Sequence, residues 1–218
     1  MENNLNDAFQ NTLMNDSIKN ISVDYLELGI DSFVKNDFIR EIPIIKSIYS
    51  LHKAIESIQT YYLTKKILRF LFQIKDVKRE DINKAIYKLE NEKSYKRDLG
   101  ENLILIIERF ETVQKSDLLG KAFKMFLKEQ LTYEEFLRVS HLIDKSFIND
   151  LFKLPMIQDS IKVERINKEN LFSLGLLSLK PHDVRAGMTG QQFMVNLNEI
   201  DFILNDSGKL MIKVLEEK

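Results

Sequence analysis

The sequence predicts a mainly α protein: a helical bundle over residues 1–154, then a small α+β module over 155–218. Three observations predict it. Seven Gly and three Pro are all that interrupt 218 residues, so few positions oppose a helix. Apolar residues at 44, 48, 51, 55, 58 and 62 alternate spacings of four and three, the seam of a packed helix. Beyond Pro155, long periodic runs give way to short β-like runs separated by turn formers.

Each element follows from local pattern. Residues 1–20 are polar and Asn-rich and predict a frayed or weakly packed helix. Ser22 is a suitable N-cap for residues 22–34. Pro43 suits the first turn of the next helix. With its stripe widening to Ile67, Leu68, Phe70, Leu71 and Ile74, that helix is expected to run unbroken for about 30 residues, or about 45 Å. Residues 79–92 give a helix with Ile82, Ala85, Ile86 and Leu89 inward. Residues 98–114, apolar nearly all round, predict the buried centre of the bundle, and 116–129 form the next helix. Thr132 and Glu135 make a capping box, with Leu131 and Phe136 at the staple positions. The helix they start is expected over 133–152, ended by Pro155. After it come a helix closed by Gly175, an extended "LLSLK", a loop "KPHDVRAGMTGQ", strand-like "QQFMVNL" and "IDFIL", and a last helix "KLMIKVLEE".

The totals bound function. The 32 basic and 33 acidic residues nearly cancel, whereas proteins that live on phosphate contacts usually carry a basic excess. The absence of cysteine excludes disulfides, thiol catalysis and thiolate-ligated metals, and suits a reducing cytoplasm. The first twenty residues lack the basic start and apolar run of a secretory signal. No run of 18 apolar residues exists, so no spanning helix is predicted. The expected location is cytoplasmic, with a membrane-peripheral position as the alternative.

No catalytic, cofactor or metal motif stands out. His52, His141 and His182 lie far apart without a ligand pattern. "FLKEQLTYEEFLRV" has the exit acid of a calcium loop, but not its Asp-rich loop or turn glycine. Gly187 and Gly190 lack the Lys-Ser/Thr of a phosphate loop. Glu134–Glu135 and Glu216–Glu217 are adjacent pairs that point apart on a helix. No cofactor is expected, and the chain is expected not to be an enzyme.

Two charged surfaces are candidates for interaction. Lys46, Lys53, Lys65, Lys66 and Arg69 share the polar face of the long helix, against Glu56 alone, with Tyr49, Tyr61, Tyr62, Phe70 and Phe72 interleaved. Such a face suits anionic lipid or nucleic acid, and equally an ordinary solvated helix. In the C-terminal module the cations are Lys168, Lys180 and Arg185. Leu171, Leu174, Gly175 and Leu176, then Phe202, Leu204 and Gly208, resemble the end of winged-helix domains. There the leucines close the recognition helix and the glycine lets the last helix start. The full expectation is thus a helical bundle followed by a small winged-helix-like α+β module. Residues 156–218 hold 8 Lys/Arg and 9 Asp/Glu, a poor balance for DNA.

"YLELGIDSFV", "REIPIIKSIYSLHKAIESIQTYYLTKKILRFLFQI", "GENLILIIERF" and "KSDLLGKAFKMFLKEQLTYEEFLRVSHLI" are similar in style to a helical bacterial and prophage family, the abortive-infection alpha-type proteins. That resemblance implies a part in phage–host conflict and supplies no catalytic residues. The leading expectation is a non-enzymatic protein-interaction or regulatory protein of phage defence or a prophage. Its partners would be proteins, including a second copy through the bundle seam. A peripheral membrane effector using the basic helix is the first alternative, and a winged-helix DNA-binding regulator the second.

Overall fold

A computed structural model describes residues 5–51, 57–91, 98–180 and 201–217. The chain divides into two units, Met1–Asp144 and Lys145–Glu217. The second begins at Lys145 rather than near Pro155.

Unit 1 has helices and connecting turns, and no strand, among its described residues. In chain order it holds α1 (Leu5–Met14), a 3-10 turn (Asp16–Asn20), α2 (Val23–Glu27), α3 (Ile30–Val34), α4 (Asp37–Glu41), α5 (Pro43–Leu51), α6 (Ile58–Ile74), α7 (Arg79–Asn91), α8 (Leu99–Arg109), α9 (Val113–Leu127) and α10 (Tyr133–Lys145), which reaches the boundary. Side chains start several of them. Asn36 Oδ1 accepts the Ile39 N–H at 3.1 Å to open α4. Thr132 and Glu135 form the expected reciprocal cap of α10, with Glu135 N to Thr132 Oγ1 at 3.2 Å and Thr132 N to Glu135 Oε2 at 2.8 Å. Leu131 and Phe136, the staple residues, are both buried.

The core is α6 laid against α9; α1 packs on α5 and α8 and sends Phe9 to the rings of α6 and α9. Phe9, Phe70 and Phe123 form a three-ring cluster with centroids 5.5–6.2 Å apart, and Phe126 and Phe136 extend it. Each such ring contributes about 1.5–3 kcal/mol by burial. Gly120 permits the close approach: a Cβ there would stand 2.7 Å from the Phe70 carbonyl oxygen.

Several expectations are corrected. Over its described residues, 5–20, the N-terminal segment is packed rather than frayed. Ala8, Phe9, Thr12 and Leu13 are buried on one stripe of α1, which its asparagines conceal in the sequence. Thr12 Oγ1 donates to Ala8 O at 2.8 Å and accepts the Ile44 N–H at 2.9 Å. It thereby satisfies an orphan donor in the first turn of α5 from a residue 32 positions away. The long helix is not continuous. Ser57 has extended backbone (ψ 146°) and its hydroxyl accepts the Thr60 N–H, so a new helix starts there. At 17 residues, α6 is about 26 Å long. Residues 22–34 form two short helices rather than one. The buried centre is α9, not α8: α8 leaves Leu105 exposed, whereas α9 buries even Lys115, Ser116 and Lys124. The helix begun by Thr132 stops at Lys145, and Pro155 lies in the first turn of a later helix, where its missing N–H is harmless.

Unit 2 comprises α11 (Ile148–Leu151), α12 (Leu154–Gln158), α13 (Arg165–Ser173), β1 (Leu177–Leu179), β2 (Phe202–Leu204) and α14 (Asp206–Glu216). The strands are antiparallel, with Ser178 opposite Ile203. Gly175 closes α13 at φ +75°: its N–H reaches Phe172 O, and the Leu176 N–H reaches Leu171 O at 3.0 Å. Asp150 is buried on α11, where its carboxylate accepts from Asn167 Nδ2 at 2.8 Å and Asn170 Nδ2 at 3.0 Å, tying α13 down. Gly208 lets the first turn of α14 pass the Leu176 carbonyl, which a Cβ would meet at 2.2 Å. The expected "QQFMVNL" strand and the loop before it lie outside the described residues.

Candidate functional site

Unit 2 carries a cleft of about 510 Å³ between the outer side of β2 and the segment that follows α12, within the size range of ligand clefts. Local backbone builds both walls. Ser160 adopts a left-handed conformation at φ 59°. Its N–H bonds Ile157 O at 3.2 Å and the Ile161 N–H bonds Met156 O at 2.8 Å, a Schellman closure of α12. That reversal sends Ile161 and Lys162 along one side of the cleft. Opposite lies Asp201–Leu204, and the Asn205 side chain, accepting the Gly208 N–H at 3.0 Å, caps α14 and sets Lys209 in its first turn.

Four lysines line this space: Lys162, Lys168, Lys180 and Lys209. One carboxylate, Asp201, stands among them, and Lys209 Nζ also pairs with Asp206 of its own helix at 3.3 Å. Lys168 Nζ donates to Asp201 Oδ1 at 3.1 Å, and the Phe202 N–H reaches the same oxygen at 2.9 Å. The Phe202 N–H first, then Lys168, holds the Asp201 carboxyl below its ordinary value. Between the cations lie Ile157, Ile161, Phe202, Ile203 and Leu204. The arrangement is equipped to hold a ligand that carries both negative charge and apolar side chains.

Lys168 and Lys180, expected from the sequence, do converge here; Arg185 lies outside the described residues. Lys162 and Lys209 were not expected. They are distant in sequence, and only the strand pairing and the Ser160 turn bring them together.

The basic face of unit 1 fares differently. Lys53 lies outside the described residues. The other four cations are engaged within their own unit. Lys46 pairs with Glu41 at 3.1 Å on the surface. Lys65 Nζ donates to Tyr61 Oη at 3.0 Å and sits over that ring. Lys66 Nζ donates to Glu108 O at 3.0 Å, and burial lowers its ammonium's pKa against the opposing pull of Glu108 and Glu111. The guanidinium of Arg69 grips both carboxylate oxygens of Asp117, with Nε at 3.0 and 2.9 Å, and Gln73 adds a third donor. Burial nonetheless pushes the Asp117 carboxyl above its ordinary value, and Arg69 and Gln73 pull it back only in part. Tyr49, Tyr61 and Phe70 are buried rather than offered to a surface. The apolar seam is divided: Ile44 and Ile48 are buried, whereas Leu51, Ile58 and Tyr62 are half or more exposed.

His141 is exposed on α10, and His52 and His182 lie outside the described residues. Among the described residues no group of three His, Asp or Glu is placed to hold a metal ion, and no helix is long and apolar enough to cross a membrane. Compared with known proteins, the chain matches no family model, no curated protein and no solved structure.

Proposed function

We propose that this chain is a non-enzymatic interaction protein whose C-terminal unit docks an acidic segment of a protein partner in the lysine-lined cleft. The observation that supports it is the meeting of Lys162, Lys168, Lys180 and Lys209 around apolar walls with one carboxylate between them. Opposite charge steers and selects such a partner, and the apolar residues supply the buried anchor. The winged-helix-like character of the unit belongs to this reading, supported by the order α13, β1, β2, α14 and the Gly175 turn. In a DNA reader the counterpart of α13 would present cations. Here Ile166 and Phe172 are exposed, and Arg165 pairs with Glu169 at 2.7 Å, which favours protein over DNA. The setting in phage–host conflict, implied by the abortive-infection resemblance, is part of the same proposal.

The test is fluorescence anisotropy with a labelled hexapeptide alternating glutamate with isoleucine or valine. Saturable binding is expected that weakens as salt screens the charges. It should fall at least tenfold when Lys162 and Lys209 are both changed to Glu, and stay unchanged for Lys46→Glu. Indifference to the double reversal, or binding of duplex DNA or anionic vesicles in place of the peptide, refutes the reading.

A further inference from the structure

The same cleft specifies how an acidic segment would lie, and this inference rests on the reading above. Asp201, Phe202, Ile203 and Leu204 all line it. Side chains alternate between the two faces of a strand, so a cleft lined by four consecutive residues takes in backbone along the strand's edge as well as one face, over which Lys180 also stands. The ladder identifies which edge. The Lys180 N–H bonds Asp201 O at 2.9 Å and the Asn205 N–H bonds Leu176 O. With the register Ser178 opposite Ile203, the hydrogen-bonded pairs of this antiparallel ladder are 180/201, 178/203 and 176/205. Residues 202 and 204 therefore turn their backbone groups outward, away from β1. The Phe202 N–H is taken by Asp201 Oδ1. Among the described residues, the Phe202 carbonyl and the Leu204 N–H, both turned away from β1, have no backbone partner.

The far wall is the end of α12 and the stretch after Ser160, and neither forms a ladder with β2 among the described residues. Among the described residues this edge of β2 pairs with no strand, and a slot beside it with lysines around it fits an extended chain.

We infer that the acidic partner segment binds by adding to β2 as a strand. Its backbone bonds the Phe202 carbonyl and the Leu204 N–H, and its carboxylates meet Lys162, Lys180 and Lys209. Lysines beside an open edge also deter unwanted pairing between copies. The cleft next to this edge makes it selective for one charge of strand rather than closed to all. Because β2 is three residues long, recognition spans about 10 Å, or three to four residues of partner.

Hydrogen exchange and backbone-modified peptides test this on the full chain. With the acidic hexapeptide bound, the Leu204 N–H is expected to slow at least tenfold, while the Ile203 N–H, already in the ladder, changes little. Methylating peptide nitrogens at one alternate set of positions should weaken binding at least tenfold, and methylating the other set should not. If both methylated peptides bind as well as the parent, and Lys162 and Lys209 reversal still abolishes binding, the strand mode is wrong and the acidic cleft stands. If the parent peptide fails to bind at all, both fall together.

Discussion

Changing Gly120 to Ala sets two effects of opposite sign against each other. Gly120 lies inside α9, where alanine is intrinsically better by about 1 kcal/mol. A local reading therefore predicts stabilisation. The structure predicts the reverse. The new Cβ would stand 2.7 Å from Phe70 O and 2.8 and 2.9 Å from Cβ and Cγ of Gln73. Gln73 can shift, but the Phe70 carbonyl is helix backbone and cannot rotate away. Ordinary contact requires α6 and α9 to separate by roughly half an ångström or more, along the interface that buries Phe70, Leu71 and Phe123. Overpacking costs about 1–3 kcal/mol, and with helix backbone as the obstacle the upper part of that range, about 2–3 kcal/mol, applies. The net expectation is a loss of about 1–2 kcal/mol. Urea unfolding should show a lower midpoint with an unchanged slope, and the melting temperature should fall by roughly 2–4 °C per kcal/mol. Gly29→Ala is the control: nothing lies within 4 Å of its Cβ and its φ is −70°, so it should stay within about 0.5 kcal/mol. A Gly120→Ala protein as stable as the parent would refute the close approach of α6 and α9.

Other substitutions read other joints. Thr12→Val keeps the shape of the side chain but strips the Ile44 N–H of its buried acceptor. It should cost about 1–3 kcal/mol in urea titration. Gly175→Ala meets no atom within 4 Å, so its expected cost of about 1 kcal/mol measures the positive φ alone. Ser160→Gly should gain about 0.5–1 kcal/mol for the converse reason. Glu111 titrates below its ordinary value, chiefly through its hydrogen bond with Lys115. Its folded value lies under its unfolded one, so the pair's contribution is present above about pH 4.5 and is lost as pH falls through the folded value. With the carboxylate largely exposed, the effect should stay below about 0.5 kcal/mol. Comparing urea midpoints of the parent and Glu111→Gln from pH 3 to 7 checks both size and sign. Asp201→Asn removes the one carboxylate from the cleft and releases Lys168. Acidic-peptide affinity should rise several-fold in the anisotropy assay.

Helix content and many helix ends were legible because they depend on neighbours in sequence. Thr132 and Glu135 are three residues apart, and Gly175 follows its own helix. What escaped depended on partners far along the chain. The role of Thr12 is set by Ile44, and the burial of α1 by Phe70 and Phe123. Arg69 looks like a free cation until Asp117, 48 positions on, is placed against it. The break before α6 was hidden because the apolar spacing runs straight across Ser57, and a stripe reports which face is apolar rather than whether the backbone is continuous. Half of the cleft was visible in Lys168 and Lys180. Lys162 and Lys209 join them only through a left-handed serine and a two-stranded ladder, neither of which leaves a local pattern.

The position of α1 constrains when this protein can fold. Its ring at Phe9 rests on Phe123, so α1 waits for one of the last helices of its unit to complete its cover. About 110 residues separate the end of α1 from the end of α9, and at roughly 5–20 residues per second the delay is about 6–20 s. Throughout it α1 can meet α5 and later α8, but not the ring of Phe123. An Asn-rich segment that keeps a nascent chain soluble while it waits is consistent with that interval, and binding of a chaperone to stalled chains should end once residue 127 has emerged.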